Sequence, residues 1–245
     1  MCKNVRPCPI TETEGLLALM RIFMVRSVPF TSWSSSEPLN FHPKLKTLGF
    51  LCFGLFIFGL GEILLIAAGL GVTPWTVLAQ GLGEHFEASI GTATFIVSVG
   101  VLLLWIPLRQ IPGLGTILNV IIIAATIEFV LPILPPIENL EARFLLVTMG
   151  IVLVGIGSGI YLVANLGAGP RDGVMTGLQS VTQLPIAWIR IGIELSVVLS
   201  GWLLGGVVGL GTIMFALGIG PAVSAGLFLM ERYASATLTT QEPNE

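Results

Sequence analysis

Arg190 and Glu194 lie four residues apart inside an apolar stretch, 186–205, that is long enough to cross a bilayer. Helical spacing puts both on one face. A charge within a span costs about 2.5–3.5 kcal/mol on insertion scales, so such groups face the protein interior or a wet cavity. The pair can serve as a gate or a proton-linked ion pair, and Arg190 can hold an anion; a structural pair that fixes helix register is the other reading. Upstream, Arg171 and Asp172 follow Gly167-Ala168-Gly169-Pro170. Proline suits a first helical position, and the glycines permit backbone geometry that other residues resist. The free amides of such a terminus, with the helix dipole, make a seat for an anion or a polar ligand. A tight re-entrant turn that only lets helices pack is the alternative. Gly71-Val72-Thr73-Pro74 is an earlier version of the same loop, with Trp75, Thr76, Thr94 and Ser98 where the later copy has Arg171, Asp172, Arg190 and Glu194. Glu62, among apolar neighbours, is either a protonatable site or a side chain that reaches the interface, and Glu128 resembles it. Thr116, Asn119 and Thr126 recur at helical spacing and line a cavity or a helix contact.

Other chemistries find no support. Gly155-x-Gly157-x-Gly159 looks like a nucleotide fingerprint, but no strand precedes it, and small residues for close helix packing explain it. There is no Walker loop, nucleophile elbow or metal pair. His42 and His85 are isolated, and Cys2, Cys8 and Cys52 have neither disulfide nor ligand spacing. No enzyme, metal or cofactor is expected. A net charge of −3 with eleven Lys and Arg leaves no basic patch for nucleic acid.

The elements that must position these residues are membrane spans. The chain is 54% hydrophobic and 10% charged, with a mean hydropathy of +0.94. A soluble core of this size cannot hide so much apolar surface, so the lipid bilayer is the solvent. Spans are expected at 47–68, 91–108, 113–131, 143–165, 186–205 and 208–230. The segments after Pro74 and Pro170 reach only about 20 Å and read as half-helices. Residues 1–46 carry six of the eleven basic residues and read as a poorly ordered leader, or as a start placed too far upstream of Met20 or Met24. Within it, Leu16 to Val25 suggests at most an interfacial helix. Residues 234–245 form a polar tail.

A shift of 96 residues carries Gly54, Gly59 and Gly61 onto Gly150, Gly155 and Gly157. It also carries Leu70, Gly71 and Pro74 onto Leu166, Gly167 and Pro170, and Leu114-Gly115-Thr116-Ile117 onto Leu210-Gly211-Thr212-Ile213. Residues 47–138 and 139–233 are therefore two copies of one unit. Three spans per copy is odd, so the second copy enters from the opposite face, giving inverted repeats of three transmembrane helices, each with a half-helix after its first span. Loop charge agrees: with both termini cytoplasmic, Lys44, Lys46, Arg109, Arg171 and Arg232 fall inside and Arg143 outside.

The repeated loops resemble the YczE branch of the YczE/YyaS/YitT group of bacterial membrane proteins. The residues that carry the resemblance are Gly71 to Leu78 with Gln80-Gly81-Leu82, Gly91-Thr92 and Gly115 to Asn119. The second copy adds Leu166 to Gly173, Arg190 with Glu194, and Gly209 to Thr212. The group favours Asp after the first Pro-Trp, where this chain has Thr76. The resemblance implies an all-α polytopic protein of the bacterial cell membrane. The expected activity is secondary transport or export of a small polar or anionic solute. An accessory or regulatory membrane protein that assists a partner without transport of its own is the alternative, and a homo-oligomer or a membrane partner is the association allowed.

Overall fold

The computed structural model describes residues 28–239, and side chains as far as Tyr233. All regular structure among these residues is helical. The elements are α1 (Leu45–Ala68), α2 (Pro74–Phe86), α3 (Ile90–Leu103), α4 (Leu114–Val130) with a short 3-10 turn Leu131–Ile133, α5 (Leu140–Ala164), α6 (Pro170–Thr182), α7 (Ile186–Leu203) and α8 (Leu210–Thr239). Five of them, α1, α4 with its turn, α5, α7 and α8 to Tyr233, are long and apolar enough to cross a membrane. The expected leader helix, Leu16 to Val25, lies outside the described residues.

The 96-residue shift reappears in the backbone. Pro74, Ile90 and Leu114 open helices in the first copy, and Pro170, Ile186 and Leu210 open theirs in the second. The left-handed residues follow suit: Gly69 and Asn165, Gly71 and Gly167, Glu87 and Gln183, Arg109 and Gly205. Thr73 caps α2 by accepting from the Thr76 amide, and proline fills the first turn of both α2 and α6. At 13 residues each, α2 and α6 reach about 20 Å, too short to cross.

The copies differ in α3. The span expected over 91–108 has only 14 helical residues and reaches about 21 Å. It passes as membrane-crossing only jointly with α2, from which it is bent by 114°. Pro107 gives the reason, since the residue before a proline is pushed out of helical geometry. Its counterpart is Leu203, and α7 accordingly runs unbroken for 18 residues.

Helices α1 and α5 form the centre. A Cβ on Gly61 would lie 2.7 Å from the Gly150 carbonyl oxygen, and one on Gly157 would lie 2.7 Å from that of Gly54. Gly54 also faces Ile160 and Tyr161, whereas Gly61 faces Val154. Partner numbers fall as positions rise, so α1 and α5 run antiparallel with their backbones in contact. Two further contacts are reciprocal. The Gly115 amide donates to Leu166 O at 2.7 Å, and the Gly211 amide donates to Leu70 O at 2.7 Å. Each loop of one copy is thereby held by the fourth helix of the other. Gly71 and Gly167, with φ of 111° and 117°, make these loops possible; a side chain at Gly71 would meet Gly209 N at 2.6 Å.

Residues 31–40 dock on this centre. Trp33 is buried against Phe50 with ring centroids 4.5 Å apart, Thr47 donates to Trp33 O, and Asn165 Nδ2 donates to Ser35 O at 2.9 Å. Gly61→Leu or Gly157→Leu should therefore cost at least 1–3 kcal/mol, the usual penalty for overpacking. Gly49→Leu, where nothing lies within 4 Å of the added Cβ, should be neutral. Thermal unfolding of the detergent-solubilised protein, followed by loss of the monodisperse peak, separates the two classes.

Candidate functional site

Helices α2 and α6 both start at one cavity of about 340 Å³. Pro74 and Trp75 enter it from α2, and Pro170, Arg171 and Asp172 from α6 with Gly169 just before. Arg190 and Glu194 enter from α7, Asn119 from α4, and Ser158 and Tyr161 from α5. Thr94 and Ser98 line it at the first-copy positions that match Arg190 and Glu194. The volume suits a small molecule, and the lining mixes apolar walls with a few converging polar groups.

Arg190 Nε donates to Glu194 Oε1 at 2.8 Å, the pairing that their spacing predicts. Tyr161 Oη donates to Asp172 Oδ2 at 3.1 Å. Trp105 Nε1 donates to Pro170 O at 2.9 Å, and its indole packs so closely on α6 that a Cβ on Gly173 would sit 2.0 Å away. Trp105, from the turn after α3, thus locks the start of α6 in place.

Glu62 lies behind the cavity wall and is fully buried. Its Oε2 accepts from Thr76 Oγ1 at 2.7 Å and from Thr73 Oγ1 at 3.2 Å. Its other oxygen has no hydrogen-bond partner among the described residues and faces Arg171 Nη1 at 3.9 Å. A separation of 3.9 Å is an ion pair without a hydrogen bond. The Arg171 guanidinium carbon lies 5.5 Å from the centroid of the Trp75 ring, within cation–π range. No hydrogen bond from Arg171 is formed to any described residue, so a cation stands at the wall with its donors free.

Of the residues picked from sequence, Pro74, Gly169, Pro170, Arg171, Asp172, Arg190, Glu194 and Asn119 share this cavity. Gly71, Thr73, Gly167, Thr116 and Glu62 do not line it. Gly71 and Gly167 form the interlocked loops, and Thr73 serves Glu62 and the α2 cap. Thr116 is buried and donates to Ala168 O at 2.7 Å, which braces the second loop instead of lining a cavity. Glu128 is far from this group and accepts from Ser89 Oγ and from the Thr92 amide, capping α3. Sequence reasoning missed Tyr161, Ser158 and Trp105. The 96-residue shift offered a pointer to Ser158, because it places that hydroxyl opposite Glu62. Tyr161 is one of only two tyrosines, in a span otherwise aliphatic around it, which is a second signal in the sequence. Among the described residues no three His, Cys, Asp or Glu side chains are grouped as metal ligands.

Replacing Glu62 by leucine takes the shared acceptor from the Thr73 and Thr76 hydroxyls, leaving them only each other, and removes the carboxylate paired with Arg171. Breaking a fully buried pair from one side costs about 3–5 kcal/mol, and with Arg171 28% exposed the loss here should fall below that range. Glu62→Gln, which keeps an acceptor for both hydroxyls, should lose markedly less, as read by the same thermal unfolding.

The chain has relatives among known proteins. A protein of Haemophilus influenzae described as uncharacterized is 44% identical over 208 residues, covering 85% of this chain and 94% of that protein. The uncharacterized membrane protein YczE of Bacillus subtilis is 35% identical over 168 residues, 67% of this chain and 77% of YczE. YyaS of the same organism, also described as uncharacterized, is 24% identical over 173 residues, 66% of this chain and 82% of YyaS. No solved structure matches. Residues 45–226, which hold every helix from α1 through most of α8, match the model of a family of unknown function, DUF6198, and the chain belongs to that family of YczE-like membrane proteins.

Proposed function

We propose that the chain is a secondary transporter or exporter of a small polar or anionic solute in the bacterial cell membrane. The observation that carries this reading is the convergence of two half-helix starts, Pro74 and Pro170, and four charged side chains on one cavity between the copies. Transporters built from paired repeats bind substrate between their halves, at the ends of discontinuous helices. The antiparallel crossing of α1 and α5, with the reciprocal loop contacts, supports an inverted repeat of six crossings with both termini cytoplasmic. Six crossings require the bent pair α2 and α3 to serve jointly as the second, in place of the span expected at 91–108.

Arg171 is the group best suited to meet solute. Its fork of donors is free, it sits on an aromatic face, and it can move between the lone oxygen of Glu62 and a bound ligand. Glu62 then acts as the resident counter-charge that a solute or a proton displaces. Asp172, held by Tyr161, and the Arg190–Glu194 pair supply the polar walls. An accessory role beside a partner protein is the second reading. It is favoured by α7, most of whose surface is uncovered, with Trp188, Leu195 and Trp202 all exposed.

Two measurements decide between them. Vesicles containing the purified protein should show solute or proton flux in a panel of small polar metabolites, with Arg171→Gln and Asp172→Asn each lowering it about tenfold or more, the equivalent of one lost charge-assisted contact. Absence of flux across the panel, with stable co-purification of one partner, would favour the accessory role. For topology, Glu138→Cys and Arg232→Cys, in a background with Cys2, Cys8 and Cys52 replaced by serine, should react with an impermeant maleimide from opposite sides of the membrane. Labelling from the same side rules out six crossings.

A further inference from the structure

The polar cavity adjoins an apolar groove. A second hollow, of about 820 Å³, runs between α2 and α3 of the first copy and α6 and α7 of the second. Trp75, Val97 and Val101 line both spaces, so the polar chamber and the groove share one wall. The groove opens outward past Ile96, Leu104 and Trp188, all exposed apolar side chains suited to lipid. Its floor includes Gly100 and Gly192, where nothing lies within 4 Å of an added Cβ. A hydrophobic slot open on its outer side and separated from a charged chamber only by Trp75, Val97 and Val101 matches a molecule with an apolar and a charged end.

The charge at the junction selects the head. Arg190 is paired with Glu194 through its Nε and Asp172 with Tyr161 through one oxygen, whereas Arg171, lying on Trp75 at the junction itself, forms no hydrogen bond with the described residues. A planar guanidinium with free donors matches the two oxygens of a carboxylate. Three carboxyl groups, Glu62, Asp172 and Glu194, already stand around it, which favours a head of one negative charge over a doubly charged phosphate. A single alkyl chain fits a groove between four helices, where about 0.8 kcal/mol per buried methylene would drive its entry.

We propose that the solute is a single-chain amphiphile with a carboxylate head, entering sideways from the bilayer, its head on Arg171 and its chain in the groove past Trp75. This inference rests on the transport reading for its purpose, but its test is a binding measurement and needs no flux. The full-length protein in phosphatidylcholine nanodiscs is exposed to palmitate carrying a mid-chain diazirine, irradiated, and mapped by peptide mass spectrometry. Label should concentrate on the segments 96–104 and 188–197. Arg171→Gln should cut that label about tenfold, the size expected for one lost charge-assisted contact, and Arg171→Lys should retain part of it. Gly100→Trp and Gly192→Trp should reduce it comparably while leaving the protein monodisperse. A diazirine phosphatidylcholine and a diazirine alkylammonium of the same chain length should not concentrate there. Even labelling around the outward faces of α1 and α8, indifference to Arg171→Gln, or stronger labelling by the ammonium probe would overturn the proposal. Concentrated palmitate labelling without any flux would refute transport alone; flux of a water-soluble solute with even labelling would refute the amphiphile alone.

Discussion

Backbone contact between α1 and α5 is the constraint on which everything else rests. Glycines at 54, 61, 150 and 157 let two long apolar helices approach until a carbonyl of each lies where a Cβ of the other would be. In lipid, where apolar side chains gain little by meeting one another, such close van der Waals contact between small residues is a principal source of helix association. It also dictates placement. Once α1 and α5 cross, the two Gly-Pro loops that follow them emerge at opposite ends of the crossing, and each is received by the fourth helix of the other copy through one short backbone hydrogen bond. The half-helices α2 and α6 are consequently aimed inward from fixed loops, and the chamber between them is a by-product of the interlock.

Within this frame the chemistry is uneven. A buried hydroxyl pair, Thr73 and Thr76, holds a carboxylate in the first copy, whereas in the second a tyrosine holds one. Both cavity-facing helix starts, which by their dipoles favour negative charge, thus already have an internal carboxyl group beside them. On the proposed reading an incoming anion finds its partner in a guanidinium, and Arg171 is the one with no donor engaged among the described residues. Trp105 contributes indirectly by pinning the carbonyl of Pro170, so the direction of α6 depends on the turn that ends α3.

Much of this was legible in the residues. Proline after a Gly-rich loop marks both half-helix starts to the residue, and the constant shift of 96 anticipates which positions are equivalent. Spacing alone pairs Arg190 with Glu194. What periodicity does not carry is which side of a uniformly apolar helix faces inward: α1 and α5 are apolar all round, so Glu62 could be read as buried or as reaching the interface, and Tyr161 gave no face. Thr116 shows the converse limit, because a polar residue in a span satisfies a carbonyl of a distant loop as readily as it lines a cavity. Pro107 was visible as a helix breaker, yet hydropathy carried the expected span past it. Trp33, in a segment read as leader, is packed against α1 through a contact that no local pattern encodes.

The exchange of contacts between the copies bears on how such a molecule can change over generations. If either half stood alone and paired with its twin in the same way, positions 75 and 171 would have to carry the same side chain, facing each other as two indoles or as two guanidiniums. The first would leave the chamber without this cation, and the second would set like charges together. Joining two unequal copies in one polypeptide removes that identity requirement. A guanidinium resting on an indole is an arrangement available to a fused pair whose halves have been free to diverge, and closed to a symmetric dimer of either half.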